Sequence, residues 1–187
     1  MKRLLPILLL SLLTACHAHR DIVSRTPVDS RTPAGRESKS RALALAAQQL
    51  GIDYDYRDDD ALLIECAAWL GTPYLYAGNT KSGVDCSGLT RAIFRRVYGI
   101  ELERRSCDQY ANDVRLKKRS HLRQGDLVFF SSPKSAGRVT HVGIFLKGTR
   151  FIHAGSSAGV IVSDLNSQYW ADNWVGCGTV KQVKSER

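Results

Sequence analysis

Apolar residues recur with helical spacing in the first half of the chain. Three segments show this pattern and predict helices: 41–50, 61–70 and 85–98. In the third segment, Leu89, Ile93 and Val97 follow one another at four-residue steps, which places them on one face of a helix. Gly99 comes directly after this segment and fits the left-handed position at which many helices end.

After residue 120 the apolar residues come in short runs separated by glycine, serine and asparagine. Five runs predict strands: 127–130, 142–146, 150–153, 160–162 and 175–180. Helices followed by consecutive strands are typical of an α+β fold. We therefore expect N-terminal helices packed on an antiparallel β-sheet of about five to six strands.

A short apolar run, residues 4–13, follows two basic residues at the N-terminus. A membrane-spanning helix needs about 20 such residues, so the run predicts a signal peptide over residues 1–15. The Leu-Thr-Ala-Cys motif at residues 13–16 resembles the lipobox of bacterial lipoproteins, whose cysteine is acylated and becomes the mature N-terminus. We expect Cys16 to carry fatty acyl chains such as palmitate; a plain secretory signal with a chance cysteine is the alternative.

Residues 16–40 are polar, with scattered proline and glycine and few apolar side chains. This composition predicts a flexible linker between the anchor and one domain over residues 41–187. Fully extended, the 24 residues from 17 to 40 would reach about 80 Å. The domain could then act well away from its membrane.

The formal net charge of +9 indicates an anionic partner or surface. Because the signal peptide directs the chain out of the cytoplasm, we expect cell-wall polymer or a membrane, and no nucleic acid. The five cysteines include no Cys-x-x-Cys pair, so a zinc ribbon is not predicted. We expect the protein to be a monomer.

Cys86 is the strongest candidate for chemistry, because it lies at the predicted start of the third helix. Backbone N–H groups and the helix dipole at such a position stabilise a thiolate. A thiolate nucleophile needs an acid–base partner, and His141 and His153 each lie at the end of a predicted strand. A structural role for each residue is the alternative, as is a metal site formed by all three.

Six motifs occur in an order that is characteristic of one family: Gly71-Thr72-Pro73-Tyr74, Asp85-Cys86-Ser87-Gly88-Leu89, Arg105-Ser106 with Gln109, Gly125-Asp126-Leu127-Val128-Phe129-Phe130, His141-Val142-Gly143-Ile144 and Ile152-His153-Ala154. Over residues 60–180 the chain resembles the NlpC-type papain-like peptidoglycan peptidases, and especially the small Spr-like murein endopeptidase lipoproteins. The resemblance implies a papain-like cysteine peptidase core. One departure is Ala77, which stands where relatives often carry glycine.

The resemblance also implies roles for individual residues. Cys86 would be the nucleophile, His141 the general base and acid, and His153 the polar group that orients His141. Tyr74 would lie beside the nucleophile, near the oxyanion. No metal and no organic cofactor is implied.

Two further positions, Asp85 and Ser87, match residues that contact the substrate's amino end in some relatives. The implied reaction is hydrolysis of amide bonds in peptidoglycan stem peptides. The D-alanyl–diaminopimelate crosslink is favoured and the D-glutamyl–diaminopimelate bond comes next. A non-catalytic peptidoglycan-binding lipoprotein and a papain-like amidase or acyltransferase are the alternatives. The expected location is the cell envelope, at the periplasmic face of the outer membrane.

The two histidines make a geometric demand on the hairpin that would carry them. They share a face of the sheet only if the numbers of paired residues have an even sum. A two-residue turn pairs Lys147 with Arg150 and separates the histidines, whereas a three-residue loop pairs Leu146 with Arg150 and keeps them together. We therefore predict an odd loop or a β-bulge.

We also expect Cys86 and His141 to form a thiolate–imidazolium pair. The pKa of the cysteine would be lowered and that of the histidine raised, because each charge favours the other. Activity would then have a bell-shaped pH dependence.

The remaining cysteines and the tryptophans have structural interpretations. Cys66 lies in an apolar helical stretch and is predicted to be in the core. Cys107 and Cys177 are either buried thiols or one disulfide. The three tryptophans are interpreted as packing residues rather than a sugar-stacking surface: Trp69, Trp170 and Trp174.

Overall fold

The computed structural model describes residues 32–182, so the predicted signal peptide, Cys16 and the first part of the predicted linker lie outside the described residues. The helices are α1 Pro33–Leu50, α2 Asp60–Trp69, α3 Cys86–Tyr98, α4 Ser106–Asp108 and α5 Gln168–Asp172. A π-helical turn, Gln109–Asp113, continues α4, and a 3-10 turn covers Arg119–His121. The strands are β1 Asn79–Thr80, β2 Gly83–Val84, β3 Val114–Lys117, β4 Leu127–Phe130, β5 His141–Lys147, β6 Arg150–Gly155, β7 Gly159–Asp164 and β8 Trp174–Val180.

Six strands form one antiparallel sheet in the order β3-β8-β4-β5-β6-β7, and β1 and β2 form a separate small ladder. α1 packs against α2 and α2 against α3, and α3 also packs on β5 and β6. The predicted α+β architecture is confirmed. Within residues 32–182, no helix is long and apolar enough to cross a membrane.

The two faces of the sheet contribute to two apolar clusters. Successive residues of β4 alternate between them: Phe129 joins the main core under the helices, and Phe130 joins a smaller cluster on the other face. Phe151 belongs to the smaller cluster, and Trp170 of α5 packs against it. This second cluster supports the site described below.

The predicted linker is too long at its C-terminal end, because α1 begins at Pro33 rather than at residue 41. The Thr32 hydroxyl caps the helix by accepting a hydrogen bond from the Gly35 N–H at 3.1 Å, and a proline at the first helical position suits a helix start. Residues 33–40 are helical but, Gly35 aside, exposed. Because these residues are polar, the spacing of apolar residues did not predict this part of the helix.

The β5–β6 hairpin contains the predicted bulge. Phe145 pairs with Phe151, whereas Lys147 pairs with Arg150, so Leu146 is an extra residue on its strand. The two-residue turn is present, and by itself it would place the two histidines on opposite faces of the sheet. The extra residue at the bulge shifts the pairing by one and removes this effect. Both histidines consequently lie on the same face of the sheet.

The four described cysteines are free thiols, so Cys107 and Cys177 form no disulfide. Cys66 is completely buried in the main core, as predicted. Cys177 is a buried thiol, which was the alternative expectation. Cys107 is exposed at the surface, so that expectation is wrong for Cys107.

Candidate active site

Cys86 is the first residue of α3, and its preceding residue builds the helix start. The Asp85 carboxylate caps α3 by accepting a hydrogen bond from the Gly88 N–H at 2.7 Å. Cys86 lies in the wall of a cavity of about 460 Å³, which His141, His153 and Tyr74 also line. The structure thus brings four of the sequence-predicted site residues to one cavity.

The two histidines are joined directly. Nε2 of His141 and Nδ1 of His153 lie 3.0 Å apart, and Nε2 of His153 lies 2.9 Å from the Ser163 hydroxyl on β7. The bond to His153 occupies Nε2 of His141. The other ring nitrogen, Nδ1, is therefore the one left to exchange a proton with a thiol.

Aromatic rings surround this pair. Trp170 stacks on His141 with ring centroids 5.4 Å apart, and it meets His153 edge-on at 4.7 Å. Phe151 stacks on His153 at 5.1 Å, and Phe130 packs against Phe151. The indole of Trp170, interpreted from the sequence as a packing residue, also lines the cavity beside the histidines.

Burial sets the protonation of these groups. It raises the pKa of the Cys86 thiol, against a smaller lowering by the backbone N–H groups of Val142 and Ser87. Burial also lowers the pKa of His141 to about 4, with Asp85 acting in the opposite direction. The pKa of His153 falls to about 3, through burial and through the neighbouring His141.

The expected thiolate–imidazolium pair is therefore wrong for the resting site. A raised thiol pKa and a lowered imidazole pKa both favour the neutral thiol–imidazole pair at neutral pH. The helix start does favour the thiolate, as the sequence indicated, but desolvation outweighs it. Ionisation of the cysteine must then accompany attack on a substrate.

Tyr74 lines the cavity near Cys86 and is half-buried. An isolated parallel bridge pairs it with Val84, which precedes the helix start. Burial, followed by the proximity of Cys86, raises the pKa of its phenol, so its hydroxyl is a hydrogen-bond donor at neutral pH.

Asp85 and Ser87, by contrast, do not line the cavity but are buried beneath it. Both bind Arg104, whose guanidinium lies 2.7 and 3.0 Å from the two Asp85 oxygens and 3.0 Å from the Ser87 hydroxyl. A weaker contact of 3.4 Å reaches the Gly78 carbonyl. Arg104 therefore joins the helix start to the loop that follows Tyr74.

Sequence reasoning missed Arg104 and singled out its neighbour. Arg105 forms an exposed ion pair with Asp108 at 2.7 Å and does not reach this cluster. Two adjacent arginines have the same sequence signal, and only the backbone direction before α4 decides which one turns inward. Gln109, also noted in the sequence, is completely buried and donates to the Ser87 carbonyl at 3.2 Å.

A second cavity of about 700 Å³ adjoins the first, and both are lined by Ser131, Ser132 and Tyr169. The two cavities thus share part of their wall, near the end of β4 and the start of α5. Among residues 32–182, no three His, Cys, Asp or Glu side chains are grouped so that they could hold a metal ion.

The profile of the NlpC/P60 family matches residues 71–179 of the chain. The murein DD-endopeptidase MepS/murein LD-carboxypeptidase of Escherichia coli K12 is 36% identical over 159 residues, which are 85% of this chain and 81% of that protein. The probable endopeptidase NlpC of the same organism is 39% identical over 107 residues, 57% of this chain and 68% of that protein.

Solved structures agree with this result. An NlpC/P60 family protein from Bacillus cereus has a TM-score of 0.60 and 31% identity, over 67% of this chain and 42% of that one. The NlpC/P60 domain of the peptidoglycan hydrolase SagA has a TM-score of 0.54 and 31% identity, over 64% of this chain and 97% of that one.

The fold and these likenesses define a cysteine-type peptidase. More particularly, the chain belongs to the NlpC/P60 family.

Proposed function

We propose that this protein is a murein endopeptidase in which Cys86 is the nucleophile. The observation that carries the proposal is the arrangement of Cys86, His141 and His153 around one cavity, with the two imidazoles 3.0 Å apart. Nucleophile, base and orienting group are the three parts that covalent peptide hydrolysis needs.

In the first half of the reaction, Nδ1 of His141 accepts the thiol proton as the sulfur attacks the carbonyl carbon of the scissile amide. The carbonyl π electrons move to oxygen, and the Tyr74 hydroxyl donates a hydrogen bond to that oxyanion. The imidazolium of His141 then gives its proton to the leaving nitrogen. The C–N bond breaks, and an acyl-thioester on Cys86 remains.

In the second half, a water molecule attacks the thioester carbon while His141 accepts one of its protons. The C–S bond breaks, the proton returns to the sulfur, and a carboxylic acid leaves. His153 accepts a hydrogen bond from Nε2 of His141 throughout. It thereby keeps the ring oriented and stabilises its transient charge.

We further propose that the scissile bond is the D-alanyl–diaminopimelate crosslink. Support comes from the relative named a murein DD-endopeptidase, 81% of whose length the matched region spans. The second cavity, which shares part of its wall with the first, offers further room for the peptide beside the scissile bond. Asp85 and Ser87 then organise Arg104 and the helix start rather than contacting the substrate directly.

Digestion of purified sacculi, followed by mass spectrometry of the soluble products, tests the bond. Cleavage of the crosslink converts dimeric muropeptides to monomers whose stem peptides are intact. Products that end at D-glutamate would instead assign the D-glutamyl–diaminopimelate bond. One relative supports that bond: the gamma-DL-glutamyl hydrolase of Bacillus subtilis, 34% identical over 63% of this chain and 28% of that protein. Sacculi that are bound but left uncleaved would favour the non-catalytic alternative.

The proposed setting is the periplasmic face of the outer membrane, with the protein held as a monomer by acyl chains on Cys16. The support is the lipobox-like motif at residues 13–16 and the polar segment that follows it. Fractionation of a Cys16 variant, described below, tests this setting.

A further inference from the structure

Ser163 lies at the far end of the hydrogen-bonded chain that runs from His141 through His153, and it is a partly buried residue of the same cavity wall. It is on β7, diagonally across from His153, because His153 pairs with Ile161 in the β6–β7 ladder. Its hydroxyl lies 2.9 Å from Nε2 of His153.

The chain of contacts fixes the proton positions on both rings. For Nδ1 of His141 to accept the thiol proton, Nε2 of His141 must carry the hydrogen and donate it to Nδ1 of His153. His153 must then carry its own hydrogen on Nε2. That N–H points at the Ser163 hydroxyl, which is its acceptor.

We propose that Ser163 is a positioning residue that holds both histidines in the tautomers required for base catalysis by His141. The proposal rests on the proposed function, since it presupposes that His141 receives a proton from Cys86. This role requires no contact of Ser163 with the thiol or with the scissile bond. Ser163 acts through His153.

The environment of His153 makes the acceptor necessary. The ring is 2% exposed, stacks on Phe151 and meets Trp170 edge-on, so an N–H that lost the Ser163 hydroxyl would incur the cost of an unmade hydrogen bond. The ring can escape this cost by moving its hydrogen to Nδ1. That hydrogen then faces the N–H of His141, which must move its own hydrogen to Nδ1 and ceases to be a base for the thiol.

A matched pair of substitutions tests this. Thr and Val have nearly the same shape and both suit a strand, but only Ser163→Thr keeps the hydroxyl. We expect Ser163→Thr to stay close to the wild type. Ser163→Val should lose kcat by about ten- to a hundredfold relative to Ser163→Thr, with KM unchanged.

Ser120 supplies a control pair, because it is exposed on the 3-10 turn and lines neither of the two cavities described. Ser120→Thr and Ser120→Val should have equal kcat. Equal kcat for Ser163→Thr and Ser163→Val, with both folded, would overturn the proposal. A loss confined to KM would do the same, because tautomer control acts on the chemical step.

Nitrogen-15 NMR of the histidine rings in the purified full-length protein provides a readout that does not depend on activity. In the wild type and Ser163→Thr, His141 should show a bare Nδ1 and a protonated Nε2, at a pH where both rings are neutral. In Ser163→Val the protonated nitrogen of both rings should change. An unchanged protonation pattern refutes the role of Ser163, even if the protein cleaves sacculi. Failure of the nucleophile assignment is detected separately, as retained activity of the Cys86 variant.

Discussion

Replacement of Trp170 by alanine should move the acid limb of the pH–rate profile to higher pH. The indole stacks on His141 at 5.4 Å and meets His153 edge-on at 4.7 Å. It therefore contacts both imidazoles and, like them, lines the cavity. Without the indole, water reaches both rings.

The size of the shift follows from the pKa of His141. Burial lowers it to about 4, from an ordinary value of 6.5. His141 must be uncharged to accept the thiol proton, so activity is lost as the pH falls through this pKa. Hydration raises the pKa back toward its ordinary value, so the limb can move up by as much as about two pH units.

The measurement is kcat/KM on a soluble crosslinked muropeptide, recorded across the acid and neutral range. Trp174→Ala is the matched control, because Trp174 packs edge-on against Phe130 in the same cluster, at 5.6 Å. Its acid limb should stay in place. If Trp170→Ala is folded but its acid limb coincides with that of the wild type, the indole does not set the pKa of His141.

Three further substitutions test other parts of the account. Ala77 has a φ of 59°, which residues with a side chain disfavour, so Ala77→Gly should raise the free energy of unfolding by about 0.5–1 kcal/mol in urea denaturation. An unchanged or lower free energy of unfolding contradicts strain at this residue. Arg104→Met leaves the buried Asp85 carboxylate without its cation and should lower the free energy of unfolding by about 1–3 kcal/mol, with Arg104→Lys in between; full stability would show that the pair is dispensable. Cys16→Ser should release the protein into the soluble fraction, and a variant that still sediments with membranes argues against the lipid anchor.

Local signals predicted the parts of the molecule that depend on local chemistry. The four-residue apolar steps and Gly99 predicted α3, so the position of Cys86 at a helix start followed from the sequence. The hairpin bulge followed as well, because strand residues alternate faces and two histidines that share a face restrict the register.

Other features depend on contacts between distant segments. The edge strand β3 was not predicted, because it lies in a charged stretch and its residues show no apolar run. It becomes a strand by pairing with β8. Arg104 acquires its role through Asp85, 19 positions away, and Trp170 through the fold of α5 onto two neighbouring strands. The sign of the pKa shifts at Cys86 and His141 depends on burial, which sequence spacing does not reveal.

The central claim is that Cys86 is the nucleophile, and digestion of sacculi by Cys86→Ala tests it most directly. Cys107→Ala is the matched control, because Cys107 is the exposed free thiol. We predict that Cys86→Ala keeps the native circular dichroism and unfolding transition but releases no muropeptides, while Cys107→Ala digests at the wild-type rate. A folded Cys86→Ala protein that retains most of the activity would contradict the assignment.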